Sequence, residues 1–324
     1  MTTRPQLLTP AFRSLSARLG NDPLQVQGPG GNTSIKDDDV MWIKASGTEL
    51  ANAEDQDIFV PVNRHAAAAE AVGQRGDGSC KDTVIDRSIQ LRPSIETTFH
   101  AALGHPVVVH THSVATLAHA ISPQGRKVCA EKLEGLPYAL VPYAKPGLPL
   151  TRQILKNIKN DTKIIVLQNH GLICCGDTVY EVASIVEEVE KRLALPVRHL
   201  PNSEPSDDAP EGFLWADEGW LAFDERASVI ATAGSYYPDH VVFLGPAIPT
   251  SDHISNPPAI LVRGLGVALR AGATPVQKTM LHCLSDVLAR LPEEWDAEPI
   301  GNDAEAELLD WDAEKYRQAL AASK

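Results

Sequence analysis

Basic charge is what this sequence is short of: 29 lysines and arginines stand against 42 aspartates and glutamates, a net charge of −13. That balance argues against nucleic acid or an anionic membrane as the main partner. It leaves room for an anionic small substrate, since local basic groups and backbone N–H donors can hold one against the global field. Paired cysteine motifs are missing too. The five cysteines (Cys80, Cys129, Cys174, Cys175 and Cys283) are odd in number and contain no CxxC, and the one adjacent pair cannot make an ordinary disulfide. Reduced, mostly buried thiols in a cytoplasmic protein are expected. No apolar run approaches a bilayer span, and Met1-Thr2-Thr3-Arg4-Pro5 lacks the apolar core of a signal peptide. No internal repeat is visible. The 324 residues suit one large domain, or one domain with an appendage, in a soluble protein.

Against these absences stands Val107-Val108-Val109-His110-Thr111-His112, an apolar run closed by two histidines. Bounded by Gly104-His105-Pro106, it reads as a buried strand. Alternation then sends His110 and His112 to the same side, a chelating arrangement on stiff backbone. A second run, residues 163–167, ends in Gln168-Asn169-His170-Gly171. A third histidine at a strand end would complete a three-His site with one open position, the arrangement of catalytic zinc. Each histidine taken singly reads equally as a packed or surface residue.

The remaining segments fall in order. Residues 9–20 have the spacing of an amphipathic helix, stopped at Gly20-Asn21-Asp22-Pro23. Gly28-Pro29-Gly30-Gly31-Asn32-Thr33-Ser34-Ile35 leads a strand that turns at Asp37-Asp38-Asp39 into a second strand, Val40-Met41-Trp42-Ile43-Lys44. The glycines let N–H groups converge on an anion, with Asn32, Ser34 and Ser46 nearby, although a plain hairpin entry has the same text. Residues 64–74 favour helix. Arg92-Pro93-Ser94-Ile95-Glu96 opens another, with Pro93 and Ser94 suited to its start and Glu96 a first-turn acid. A short helix over 113–121, a strand over 140–143 and a long helix after the capping box of Thr178 and Glu181 follow. Residues 201–211 have a linker's composition, separating a 1–200 domain from a 212–324 extension. Within that extension 240–244 and 259–262 are strand-like, and 276–291 and 304–322 helical. Trp215, Trp220 and Trp295 read as packing groups.

In chain order, Gly31-Asn32-Thr33-Ser34, Ala45-Ser46-Gly47-Thr48, Pro93-Ser94-Ile95-Glu96, His110-Thr111-His112 and Asn169-His170-Gly171 resemble the class II aldolase/adducin family over residues 10–195. The wording is most similar to the aldolase part of fused rhamnulose-1-phosphate aldolase/dehydrogenase proteins. The resemblance implies an α/β three-layer α/β/α sandwich with a central, mainly antiparallel sheet, here followed by a smaller α+β extension. It implies a homotetramer with active sites at subunit interfaces. His110, His112 and His170 would bind Zn2+, with Mn2+ or Co2+ as alternatives. Glu96 would be the acid/base, and Tyr143 a proton donor. Gly31, Asn32, Ser46, Gly47 and Ser94 would surround the phosphate of a sugar phosphate. Ile95 departs from the pattern, since the phosphate-specific aldolases have a second serine there; losing a hydroxyl weakens a buried anion contact by about 1–3 kcal/mol. Lys36, Lys44 or Lys145 are candidate replacements for that contact.

Zinc polarises a ketone, and retro-aldol cleavage of a ketose or ketose 1-phosphate leaves an enediolate that the metal stabilises. The same family includes a pentulose-phosphate 4-epimerase, sugar-acid-phosphate decarboxylases and the non-catalytic adducin-like interaction modules. The complete set of histidines with Glu96 argues against the last.

Overall fold

The computed structural model describes residues 2–205, 208–250 and 256–322. Helix α1 (Pro10–Asn21) precedes the hairpin of β1 (Asn32–Lys36) and β2 (Val40–Lys44). Then come β3 (Phe59–Asn63), α2 (Arg64–Ala71), α3 (Thr97–Ala102), β4 (Val107–Thr111), α4 (Val114–Ala120) and α5 (Pro123–Lys132). The chain continues through β5 (Tyr138–Val141), α6 (Leu148–Asn157), β6 (Ile164–Leu167), β7 (Gly171–Gly176) and α7 (Val179–Leu193). These seven strands form one sheet in the order β3-β2-β1-β4-β7-β6-β5. Every neighbouring pair is antiparallel except β5 with β6.

Strand alternation divides the sheet's side chains between two helical layers. Val107, Val109, Val166 and Leu172 pack with Phe12 and Leu15 of α1 and Val182, Val186 and Val189 of α7. Val108, Ile165 and Ile173 face the opposite way, onto Phe99 of α3 and Leu150 and Ile154 of α6. Met41, Ile43, Val60 and Val62 extend that second layer beneath Ala67 of α2 and Ala101 of α3. The result is the expected three-layer sandwich. Cys174 and Cys175, adjacent on β7, go one to each face, and all five thiols are free and buried.

Local signals account for most boundaries. Thr9 caps α1 by accepting from the Phe12 N–H at 3.3 Å. Thr178 does the same for α7 from Glu181 N–H at 3.1 Å, but the reciprocal half of the capping box is redirected. The Glu181 carboxylate accepts instead from Asp177 N–H at 2.8 Å and pairs with Lys163. Helix α3 starts later than the proline suggests, at Thr97. Ser46 N–H bonds Arg92 carbonyl and Pro93 bridges Ala45, so residues 92–93 are held extended against the exit of β2.

From 194 to 212 no described residue is in helix or strand, and residues 206–207 of the expected linker lie outside the described residues. The extension holds β8 (Phe213–Trp215), α8 (Glu225–Ala233), α9 (Pro238–Leu244), β9 (Ala259–Val262), β10 (Gly266–Arg270), α10 (Pro275–Arg290), α11 (Asn302–Leu309) and α12 (Asp312–Ala322). Its strands form a small sheet, β8-β10-β9. The strand expected over 240–244 is instead the end of α9. All seven α9 residues are buried, which erases any helical periodicity, while Pro238 at the start and Gly245 past the end are the helix signals. The extension is not packed on itself alone: Tyr237, Val241, Met280 and Leu284 share one core with Val114, Leu117 and Ile121 of α4. Trp220 and Trp295 belong to that core, and Trp215 packs against Phe213 and Ile260, as expected. Among the described residues no helix is long and apolar enough to cross a membrane.

Lys36 is buried between the sheet and α3, where its Nζ donates to the His100 carbonyl at 2.7 Å. Burial, reinforced by Arg64, lowers its pKa to about 7. Between that value and the unfolded lysine's value the unfolded chain binds more protons, so stability rises with pH over this window. Lys36→Met is expected to remove this rise. Urea denaturation from pH 7 to 10 checks it, with wild type gaining up to about 1.4 kcal/mol per pH unit relative to the variant.

Candidate metal centre

Strand register brings the polar motif residues to one end of the sheet. Asn32 opens β1 directly opposite His110 on β4, and Thr111 pairs with Leu172 on β7. His112 follows β4, and His170 ends the turn between β6 and β7. That turn places Asn169 in the left-handed region at φ 53°, which asparagine tolerates. The extension fixes it from outside: Asn169 Nδ2 donates to the carbonyls of Tyr236 at 3.0 Å and Glu298 at 2.8 Å. Gly171 is obligatory, because a Cβ there would lie 2.3 Å from the Thr111 carbonyl oxygen. The three imidazoles are buried, their ring centroids 5.0–5.5 Å apart, with one nitrogen of each within 4.8 Å of the others.

Glu96 lies among them. Its Oε2 is 3.5 Å from His110 Nε2 and its Oε1 is 3.5 Å from His170 Nε2. Asn32 Nδ2 donates to Glu96 Oε2 at 2.8 Å, and to Ser94 Oγ at 3.2 Å. A carboxylate only accepts, so the amide nitrogen faces it and Asn32 Oδ1 turns to His100 Nε2. Burial holds His100 neutral, so Nε2 carries its proton and Nδ1 accepts from Ser34 Oγ at 2.7 Å. Ser34, His100 and Asn32 therefore form a buried chain that orients the Glu96 carboxylate.

These residues fit a divalent cation. His110 Nδ1 is 3.0 Å from the Leu172 carbonyl, which only accepts, so the proton sits there and Nε2 presents a lone pair. Burial keeps His110 neutral and lowers His170 to about 3. A lone pair thus faces a carboxylate oxygen across 3.5 Å with no proton to share. Glu96 Oε1 and His110 Nε2 have no hydrogen-bond partner, and His170 turns its Nε2 toward the same carboxylate. Buried acceptors aimed at one point are what a metal ion satisfies.

All five anticipated substrate residues, Gly31, Asn32, Ser46, Gly47 and Ser94, line one cavity of about 30 Å³ with Glu96, His112 and His170. Ile95 lines it as well. Of the lysines, only Lys44 reaches this wall, its Nζ bonded to the carbonyls of Pro29 and Thr48 and its pKa lowered to about 7 by burial and then by Arg317. Lys36 points to α3, and Lys145 stacks over Trp311 beside an adjoining cavity of about 510 Å³. Tyr143 is in neither wall; its hydroxyl is buried without a partner, and burial and then Glu307 and Glu305 raise its pKa.

Four wall residues come from the extension, and no motif announces them: Pro238 and Asp239 on α9, and Glu314 and Arg317 on α12. Arg317 grips Asp239 with two nitrogens at 2.8 and 3.1 Å and takes Glu314 at 2.9 Å. Helix α12 rests directly on the Ser46-Gly47 turn, where a Cβ on Gly47 would lie 2.3 Å from Leu320 Cδ1.

The profile of the family described as Class II Aldolase and Adducin N-terminal domain matches residues 15–196, and the chain belongs to that family. The Bacillus subtilis protein named uncharacterized oxidoreductase YuxG is 30% identical over 53% of this chain and 28% of its own length. The 3-oxo-tetronate 4-phosphate decarboxylase of Escherichia coli strain K12 is 32% identical over 35% of this chain and 62% of its own. The chain thus spans less than two thirds of these relatives. The L-fuculose phosphate aldolase of Methanocaldococcus jannaschii is 25% identical over 55% of this chain and 90% of its length. Among solved structures, the N-terminal class II aldolase domain of a conserved Thermoplasma acidophilum protein superposes with a TM-score of 0.50 at 28% identity, over 56% of this chain and 89% of that one.

Purified protein is expected to carry stoichiometric divalent metal by elemental analysis, and His112→Ala to lose it. Full retention of metal in that variant would exclude the three-histidine centre.

Proposed function

We propose that this chain is a metal-dependent lyase that breaks a carbon–carbon bond in a ketose or ketose 1-phosphate by retro-aldol chemistry. The observation that carries the reading is the buried Glu96 carboxylate set between His110 and His170, each 3.5 Å away. His110, His112 and His170 would hold the ion, with zinc first among the candidates because three neutral imidazoles leave it an open position. When bound, the ion supplies a Lewis acid for the substrate carbonyl and for the charge left on its oxygen after cleavage.

The chain's own residues do the rest. Glu96 takes and returns the proton at the hydroxymethyl carbon, its two oxygens set against His110 and His170. Asn32 holds Glu96 in place through the 2.8 Å bond and is itself held by His100. Ser46, Gly47 and Ser94 shape the far wall for the rest of the substrate. Tyr143 is left out of the reaction, since its hydroxyl lies away from that wall. Ile95 stands where a hydroxyl would donate and Arg317 is engaged by Asp239 and Glu314, while Ser46, Ser94 and Lys44 remain in the wall as donors. The free ketose and its 1-phosphate are therefore both candidate substrates.

One rival has specific support, the similarity to the Escherichia coli decarboxylase. Loss of carbon dioxide from a 3-oxo acid leaves a comparable enolate, so the same base and ligands serve either reaction.

Proton NMR of dihydroxyacetone and of its phosphate, each incubated with the protein in heavy water, separates the cases. Loss of one hydroxymethyl proton signal is expected, abolished by a chelator and slowed about 10²–10⁴-fold by Glu96→Gln. No exchange from either donor by metal-loaded protein would sink the aldolase reading. Release of carbon dioxide from 3-oxo-tetronate 4-phosphate would then establish the decarboxylase.

A further inference from the structure

Segment 15–196 supplies all three histidines, yet one of them is held by a residue beyond it. Asp239 Oδ2 lies 3.4 Å from His112 Nδ1, and both side chains are buried. His110 is oriented by a backbone carbonyl of the sheet, but His112 lies past the end of β4, where strand pairing no longer constrains it. A carboxylate on the outer nitrogen is one way to fix the ring of a metal-binding histidine and the tautomer that leaves the other nitrogen free.

Two further features are built around this contact. Arg317 holds Asp239 by both carboxylate oxygens, at 2.8 and 3.1 Å, and is anchored in turn by Glu314 on its own helix. Gly30 makes the approach possible. A Cβ at that position would lie 2.8 Å from His112 Nδ1 and 2.9 Å from Asp239 Oδ2, wedged between the two. Gly30 is not among the positive-φ glycines, so its backbone imposes no demand for glycine. The requirement is for space, at the Asp239–His112 contact first and then against the Gln27 carbonyl oxygen, 3.0 Å from the same Cβ.

The structure assigns Asp239, set by Arg317, as the positioning residue for His112, contributed by the C-terminal extension to a centre otherwise made by the family segment. The assignment rests on the proposed metal reading. It gives the extension a role at the centre: α9 brings the carboxylate and α12 the arginine that aims it.

The test is metal affinity, not turnover. Metal-free full-length protein is titrated with Zn2+ against a chromophoric chelator, and the Co2+-loaded form is examined by visible absorption. Asp239→Asn, nearly the same shape, is expected to raise the zinc Kd about 10–100-fold and to alter the cobalt bands. Gly30→Ala, which removes no charge, is expected to act in the same direction by forcing the pair apart. Arg317→Gln should give a smaller rise. Wild-type affinity and an unchanged cobalt spectrum in Asp239→Asn would overturn the assignment while leaving the metal centre standing. No zinc binding by wild type would overturn the metal reading and the assignment together. Should Asp239→Asn fail to fold, Gly30→Ala decides, since unchanged affinity there contradicts the contact.

Discussion

Everything at the end of the large sheet answers to one electrostatic constraint, the burial of the Glu96 carboxylate opposite imidazole lone pairs. An ionised carboxylate removed from water is costly unless charge or hydrogen bonds replace its hydration. Glu96 receives one side-chain hydrogen bond, from Asn32, and its other oxygen receives none. Neighbouring groups are arranged to keep that situation rather than relieve it. The Ser34–His100–Asn32 chain fixes the single donor, and the Leu172 carbonyl holds the His110 proton on the side away from the carboxylate. A protein needing only stability would fill such a space with apolar side chains. Retaining unsatisfied acceptors in a common focus is the mark of a site built for a cation.

The scaffold makes this focus rigid through backbone pairing. Asn32 and His110 are partners across β1 and β4, while β7 brings the His170 turn against the end of β4. The helical layers then bury both faces of the sheet, so the centre opens only at the strand ends. There the extension closes it, with Asn169 clasped by two carbonyls from one side and α12 lying on Gly47 from the other.

Much of this was legible in the sequence because it is local or periodic. The Val107–His112 pattern encodes strand, burial and ligand direction at once, and the aspartate turn between β1 and β2 is plain. Ordered motifs placed Gly31, Asn32, Ser46, Gly47, Ser94 and Glu96 around one cavity, where the structure has them. What escaped was non-local. Asp239 and Arg317 belong to helices whose sequences carry no motif, and their meaning arises only when α9 and α12 meet. Helix α9 was misread for a related reason, since a segment buried all round has no polar face to reveal its period. The early helix start at Pro93 failed because pairing with the exit of β2 overrode local propensity.

The strand order has a kinetic side. Hairpins such as β1–β2 form from adjacent residues, but β1 and β4 are separated in the chain by β2, β3, α2 and α3, and non-local pairings of this kind slow folding. A partly folded chain therefore offers an ion His110 and His112 at most, with His170, Glu96 and Asp239 still elsewhere. In a small zinc module neighbouring ligands let the metal nucleate the fold. Here the order is reversed: the ion would find its full ligand set only in the finished protein, and would act by mass action to slow its unfolding rather than to guide its assembly.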